Sequence, residues 1–223
     1  MFKNLDLRRP DLGDCIGGRL VKVRSYKMTS VCRDDRGQFE HYGSGPNFQG
    51  GCLTLCTCAH QIRAEKKNPD EWQDWWLAGF TSPQCCDRTW LFYLAQVERA
   101  YPTAAELWDE LPRNLRQAKS TRRNCLGDAY QPNPASPCAD PFDAAHYHLP
   151  MIGHSHRESD SDEKWKKDIE FYNSKFRRHS AYIVAKPCLT FIWQTPTLYL
   201  KDHPRNQSWD SVGDLLRRLI AAR

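Results

Sequence analysis

No stretch of this 223-residue chain approaches the roughly 18 consecutive apolar residues of a membrane span. The opening residues, MFKNLDLRRPDLGD, hold no apolar core of the kind a secretory signal needs, so a cytoplasmic chain without a membrane partner is expected. The G-x-x-x-x-G-K-[ST] phosphate cradle is missing, and Gly43-x-Gly45 lacks the rest of a dinucleotide fingerprint. The P-C-x-x-C half of the zinc-deaminase signature is absent too. There is no C-x2-C knuckle and no internal repeat, which argues against common zinc modules and solenoids.

What is present is globular in character. Hydrophobic residues make 40% and charged residues 26%, within the ordinary range, so global disorder is excluded. A chain this long buries a core without needing disulfides or metal. Composition names no enzyme class. Net charge is +5, a mild excess unevenly spread. Arg113, Arg116, Lys119, Arg122 and Arg123 fall in a stretch with no acid. A second group, Lys164, Lys166, Lys167, Lys175, Arg177 and Arg178, is partly offset by Asp160, Asp162, Glu163, Asp168 and Glu170. Either group could neutralise phosphates or form a solvated face; the first is taken as the nucleic-acid contact.

Ten cysteines in a reducing compartment are expected to be free thiols. The densest run is Cys52-x3-Cys56-x-Cys58-x-His60. Buried thiols explain it, and no metal is assigned; a metal at these four residues stays an open alternative, with Cys85-Cys86 or His154-x-His156 as further ligands. No cofactor follows from the residues.

Periodicity outlines one α+β domain over 15–205, after a mobile arm at 1–14 and before a C-terminal helix at 206–223. Strands are expected at 19–28, 53–60, 75–80, 90–99, 181–184, 189–193 and 198–200. The run Trp90–Arg99, aromatic and β-branched, is the strongest of them. Thr103 with Glu106 forms a capping-box pattern for a helix that Pro112 ends. Trp165, Ile169, Tyr172 and Phe176 recur at helical spacing within 162–178, and Ser208 is expected to cap the last helix. Residues 33–51 and 124–150 are turn-rich loops. The architecture expected is a small β-barrel or curled mixed sheet with about three peripheral helices.

One block is more specific. Pro46-Asn47-x-x-Gly50-Gly51-x-x-Thr54-Leu55-x-Thr57-Cys58, followed by Ile62-Arg63, resembles the nucleotide-modification-associated domain family, second type. Asp74-Trp75-Trp76-Leu77-Ala78-Gly79 is similar to that family's next strand, although Gln73 stands where a glycine is usual and His60 where a proline is. The run Leu91–Ala100 with Leu107-Trp108, the Gly127-Asp128-x-Tyr130 loop and the strand from Tyr182 continue the resemblance. It implies a protein of bacterial or phage origin associated with DNA base hypermodification. The element order also resembles PUA-like and EVE-like domains, small barrels that bind RNA or modified bases.

The implied ligand is DNA or a free, modified nucleotide. A base needs a stacking partner and a few fixed polar groups at its rim. Trp75, Tyr93 and Tyr130 are the stacking candidates, with Trp76, Trp90 and Trp193 as further aromatics; each could equally be core. Asn47, Thr54, Thr57 and Asp128 are candidates for the edge, and Arg63 for a phosphate. Two alternatives stand beside this reading. One is an enzyme acting on a nucleotide or base, with Cys58 as nucleophile, His154 or His156 as base and Asp128 as acid or base. The other is a non-catalytic docking partner of a modification enzyme, using the basic stretch 113–123.

Overall fold

The computed structural model describes residues 4–16, 21–154 and 163–222. Internal contacts divide the chain into two compact units, where the sequence suggests one domain. The first unit is Met1–His41, Asp74–Val97 and Lys186–Arg223; the second is Tyr42–Gln73 and Glu98–Ala185.

The first unit is built on an open mixed sheet. The strand Trp76–Thr81 has all six residues buried, as its apolar run dictates for a strand covered on both faces. It pairs in parallel with Val23–Met28 and antiparallel with Thr89–Tyr101. Beyond Val23–Met28 lies Asn206–Trp209, antiparallel. At the other side Asn4–Leu5 runs parallel to Phe191 and Ile192. The path therefore ends on two different edge strands and does not close. Leu12, Val23, Trp76, Phe80, Leu91, Phe191, Trp193, Val212 and Leu215 fill the core. Gly79 is obligatory there: a Cβ at this position would lie 2.2 Å from Cε1 of Tyr93.

The second unit packs Leu107, Tyr130, Tyr147, Trp165, Ile169 and Tyr182 into a separate core. The helix Ala104–Glu110 starts as its capping residues require, with Glu106 N–H donating to Thr103 Oγ1 at 3.1 Å, and it stops before Pro112. A further helix, Arg113–Lys119, follows at once. Thr54 and Leu55 pair with Val184 and Ile183. The described residues of the two units together carry six short α-helices, so α+β content is as expected, while helices are more numerous than three.

Several expectations change. Residues 4–16 are not a free arm: Leu12 and Ile16 of the helix Arg9–Ile16 are buried in the first unit. Among the described residues of the 162–178 stripe, only Lys166–Glu170 is helical, and Tyr172–His179 is a hairpin. The cause is Asn173, whose Oδ1 accepts from the N–H groups of Lys175 and Phe176 and turns the chain. The last helix, Val212–Arg218, is capped by Ser211 and not Ser208, which lies in the Asn206–Trp209 strand. The two late strands at 181–184 and 189–193 are one strand, Tyr182–Ile192, with Pro187 at an exposed position where its missing N–H costs nothing. Among the described residues no helix is long and apolar enough to cross a membrane.

Candidate functional site

The Pro46–Arg63 block builds the floor of a polar interior in the second unit. Asn47 and Thr54 exchange backbone hydrogen bonds at 2.8 and 2.9 Å, closing the loop between them. That loop passes through Gly50 and Gly51 at φ 71° and 74°, a region that suits glycine. A Cβ on Gly50 would also meet Leu115 Cδ2 at 2.6 Å. Ahead of the loop, the backbone at Gly45 presses on the next turn: a Cβ there would sit 2.2 Å from Thr57 Oγ1 and 2.7 Å from Cys58 Sγ. Cys58 and Ala59 both take positive φ, 47° and 46°, and the short helix His60–Arg63 begins directly after them.

The Gly127-Asp128 loop forms the opposite wall. The N–H groups of Asp128 and Ala129 both donate to the Lys119 carbonyl at 2.9 Å, and Thr121 N–H donates to Ala129 O at 3.0 Å. Only glycine fits at 127, because a Cβ would lie 2.5 Å from the Lys119 carbonyl oxygen. This pairing delivers Lys119 and Asp128 into the same interior, each 0% exposed.

Lys119 is the centre of the arrangement. Its ammonium donates to Asn47 Oδ1 at 2.7 Å, Thr54 Oγ1 at 2.8 Å and Asn47 O at 3.2 Å. Burial holds its proton affinity below that of an ordinary lysine, against the pull of Asp128. Asp128 is shifted the other way: burial raises its pKa, opposed first by Lys119 and then by Thr54 and Cys56. Neither Asp128 oxygen has a hydrogen bond of normal geometry. Arg63 Nη2, Ser120 Oγ and His179 Nδ1 of this unit are equally open. Arg63 is otherwise held by its Nε to Cys58 O at 3.0 Å and Nη1 to Ala181 O at 2.6 Å. Cys56, completely buried, feels the charges of Asp128, Arg63 and Lys119 together, which places it among them.

A second polar chain runs through the same unit. Asp168 accepts from Tyr130 OH at 2.8 Å and lies 2.9 Å from His60 Nε2. Tyr130 OH also meets His154 Nε2 at 3.3 Å, and His154 Nδ1 donates to Cys125 O at 2.9 Å. Tyr182 OH donates to the Asp168 carbonyl at 2.9 Å.

Asn47, Thr54, Thr57, Cys58, Arg63, Asp128, Tyr130 and His154 thus all belong to one unit; His156 lies outside the described residues. Their individual duties differ from those read in the sequence. Asn47 is saturated: Oδ1 also accepts from Gln49 N–H, and Nδ2 donates to Leu126 O at 2.7 Å. Thr57 accepts from Ser44 Oγ at 3.1 Å. Tyr130 is fully buried with its face stacked on Trp165, so no base can stack there. Tyr93 is a core residue of the first unit, its hydroxyl 2.8 Å from that of Tyr26. Trp75, also in the first unit, is half-buried under the Lys22 ammonium. Trp76 and Trp193 are core, as Trp90 is apart from its Nε1, which donates to Asp87.

Two thiols of the block are held protonated. Burial pushes Cys58 up to about 12 and Cys52 up to about 11, which removes the thiolate a nucleophile needs. Among the described residues no three His, Cys, Asp or Glu side chains gather as a metal site would require. In the basic stretch Arg113, Arg122 and Arg123 are exposed. Arg116 is tied to the Leu111 and Asp109 carbonyls over the Trp108 ring. Lys119, expected on the same outward face, is the correction: it ends its helix pointing inward. No signal within the stretch separates it from its neighbours, because the partner that draws it in is Asn47, far away in sequence.

Comparison with family models, characterised proteins and solved structures returns no match for this chain.

Proposed function

We propose that this protein binds a nucleotide or modified base and takes part in DNA base modification. The observation that carries the reading is the Asp128 carboxylate, completely buried, with neither oxygen in a hydrogen bond of normal geometry and only Thr54 and Cys56 close enough to act on it as donors. An enclosed carboxyl so poorly satisfied is costly, by about 1–3 kcal/mol, and is retained where a ligand completes it. The N–H donors on the rim of a heterocyclic base are such a ligand. Arg63 Nη2 supplies a donor for a carbonyl or phosphate oxygen of the same molecule, and Ser120 Oγ serves either role. Two of the blocks that resemble the nucleotide-modification-associated family, Pro46–Arg63 and Gly127–Tyr130, contribute to this interior, which supports the reading. Kinship with PUA-like domains belongs to the same proposal, as an opened relative of that barrel. Recognition here rests on the edge of the base, since the aromatic candidates are occupied in the cores. Because Asp128 is covered, a ligand reaches it only when the covering chain opens.

The test is calorimetric titration of the full chain with nucleoside monophosphates at low salt. Binding is expected, weakened roughly tenfold or more by Asp128→Asn and by Arg63→Gln, the value of a charged hydrogen bond. Absence of binding, or unchanged affinity in a folded Asp128→Asn protein, rejects the proposal.

A second reading is catalysis on the bound base. It is favoured by the opposed displacement of Lys119 and Asp128, a pattern that suits proton transfer. Burial of Cys58 disfavours the thiolate that a nucleophilic role would need. Turnover lost in Lys119→Met with binding retained would distinguish it from binding alone.

A further inference from the structure

One surface feature of the second unit is unused by the interior site. Leu149, Met151 and Ile152 are 74%, 47% and 95% exposed, and Leu126 is 41% exposed. A soluble surface tolerates single exposed apolar residues, but consecutive ones in one turn mark a contact. Two hydrogen bonds fix where this turn lies. Met151 N–H donates to Thr121 O at 2.6 Å, and His154 Nδ1 donates to Cys125 O at 2.9 Å. The turn is therefore anchored along 121–125, which carries the exposed Arg122 and Arg123. Arg122 is close enough to His148 to lower its proton affinity, after the larger effect of desolvation. Neither 111–127 nor 144–154 contains an acid. The result is an apolar tip on a cationic base, free of negative charge.

We propose that the Leu149–Ile152 turn is a wedge that enters a DNA duplex between base pairs while Arg122 and Arg123 hold the flanking phosphates. The occupant follows from charge and shape together. The exposed Arg122 and Arg123, with no acid in the neighbouring sequence, complement a phosphate backbone, and Leu, Met, Ile and Pro are the side chains that part stacked bases. The inference rests on the DNA-base reading above and deepens it. A base modified within a duplex must first leave the stack, and an apolar turn that fills the gap lowers the cost of extrusion. The turn also leads through His154 and Tyr130 toward the interior site, so the two features share one unit.

The experiment uses the full chain and a short duplex carrying a fluorescent adenine analogue that is quenched by stacking. Wild-type protein is expected to bind with steep salt dependence and to raise the emission several-fold. Met151→Ser with Ile152→Ser changes only exposed side chains. It should bind the duplex with similar salt dependence and lose the rise in emission. Arg122→Glu with Arg123→Glu should weaken binding more than tenfold and flatten the log–log salt slope by about 2. Free mononucleotide titration separates the two proposals, since all surface variants should leave it unchanged. A wedge variant that keeps the emission rise overturns the inference. So does a chain that binds mononucleotides but no duplex at low salt. A wild-type dimer that the serine variant converts to monomer overturns it as well, assigning the turn to self-association. Duplex binding and emission without any mononucleotide affinity leave the wedge standing and reject the interior base site alone.

Discussion

Removing the Lys119 ammonium while keeping its stem tests the central pair most directly. Lys119→Met deletes three hydrogen bonds, to Asn47 Oδ1, Asn47 O and Thr54 Oγ1. It also removes the cation that most opposes the rise in Asp128's pKa. Leaving the buried acceptors of Asn47 and Thr54 without their donor costs about 1–3 kcal/mol apiece, and Asp128 loses the cation that offsets its burial. Lys119→Met/Asp128→Asn removes both charges, and its cost should be smaller than that of the single change by about 1.5 kcal/mol or more. Urea unfolding followed by tryptophan fluorescence measures both, with the slope checked for constancy. The pH dependence adds a sign. A carboxyl whose folded pKa is raised contributes stability below its unfolded value and loses it as pH rises through the folded value. The single variant, with Asp128 pushed further up, should therefore weaken more steeply than wild type as pH rises from about 4. A single variant within 1 kcal/mol of wild type refutes the argument, and so does a double variant as unstable as the single one.

Other consequences follow from the first unit. His203 is held down to about 4 by burial, with Nε2 2.7 Å from Ser25 Oγ and Trp209 Nε1 donating to the same oxygen. Its ordinary value is 6.5, so the unfolded chain takes up the proton first: stability is full above 6.5 and falls as pH drops toward 4, by about 3 kcal/mol. A pH profile of the urea midpoint that is identical in His203→Gln would show that this histidine is not responsible. Gly79→Ala should destabilise by about 3 kcal/mol, because Tyr93 is locked by Tyr26 and cannot move away from the new methyl; a melting temperature unchanged from wild type would contradict the packing.

Local chemistry was legible in the residues. The buried strand Trp76–Thr81 and the Thr103 cap with Pro112 beyond it each answer to constraints contained within a few neighbouring positions. Asn47, Thr54, Arg63 and Asp128, named together from the sequence, fall in one unit. Elements decided by competition were not legible. The stripe through Trp165–Phe176 has helical spacing, yet one side-chain oxygen on Asn173 offers a turn that wins. The stretch 1–14 reads as a mobile arm, yet the helix Arg9–Ile16 forms because the first unit's core receives Leu12 and Ile16.

The duties of the site residues belong to the same second class. A sequence shows that Asn47 has two donors and an acceptor, but not that Lys119, Leu126 and Gln49 already use them. It shows five cations between 113 and 123, but not which of them faces inward, because helix phase and the Gly127–Asp128 strand pairing set that direction. Spacing along the chain determines backbone geometry over a few residues. Burial, saturation and charge coupling arise between segments far apart in sequence, so they were decided only when the chain folded.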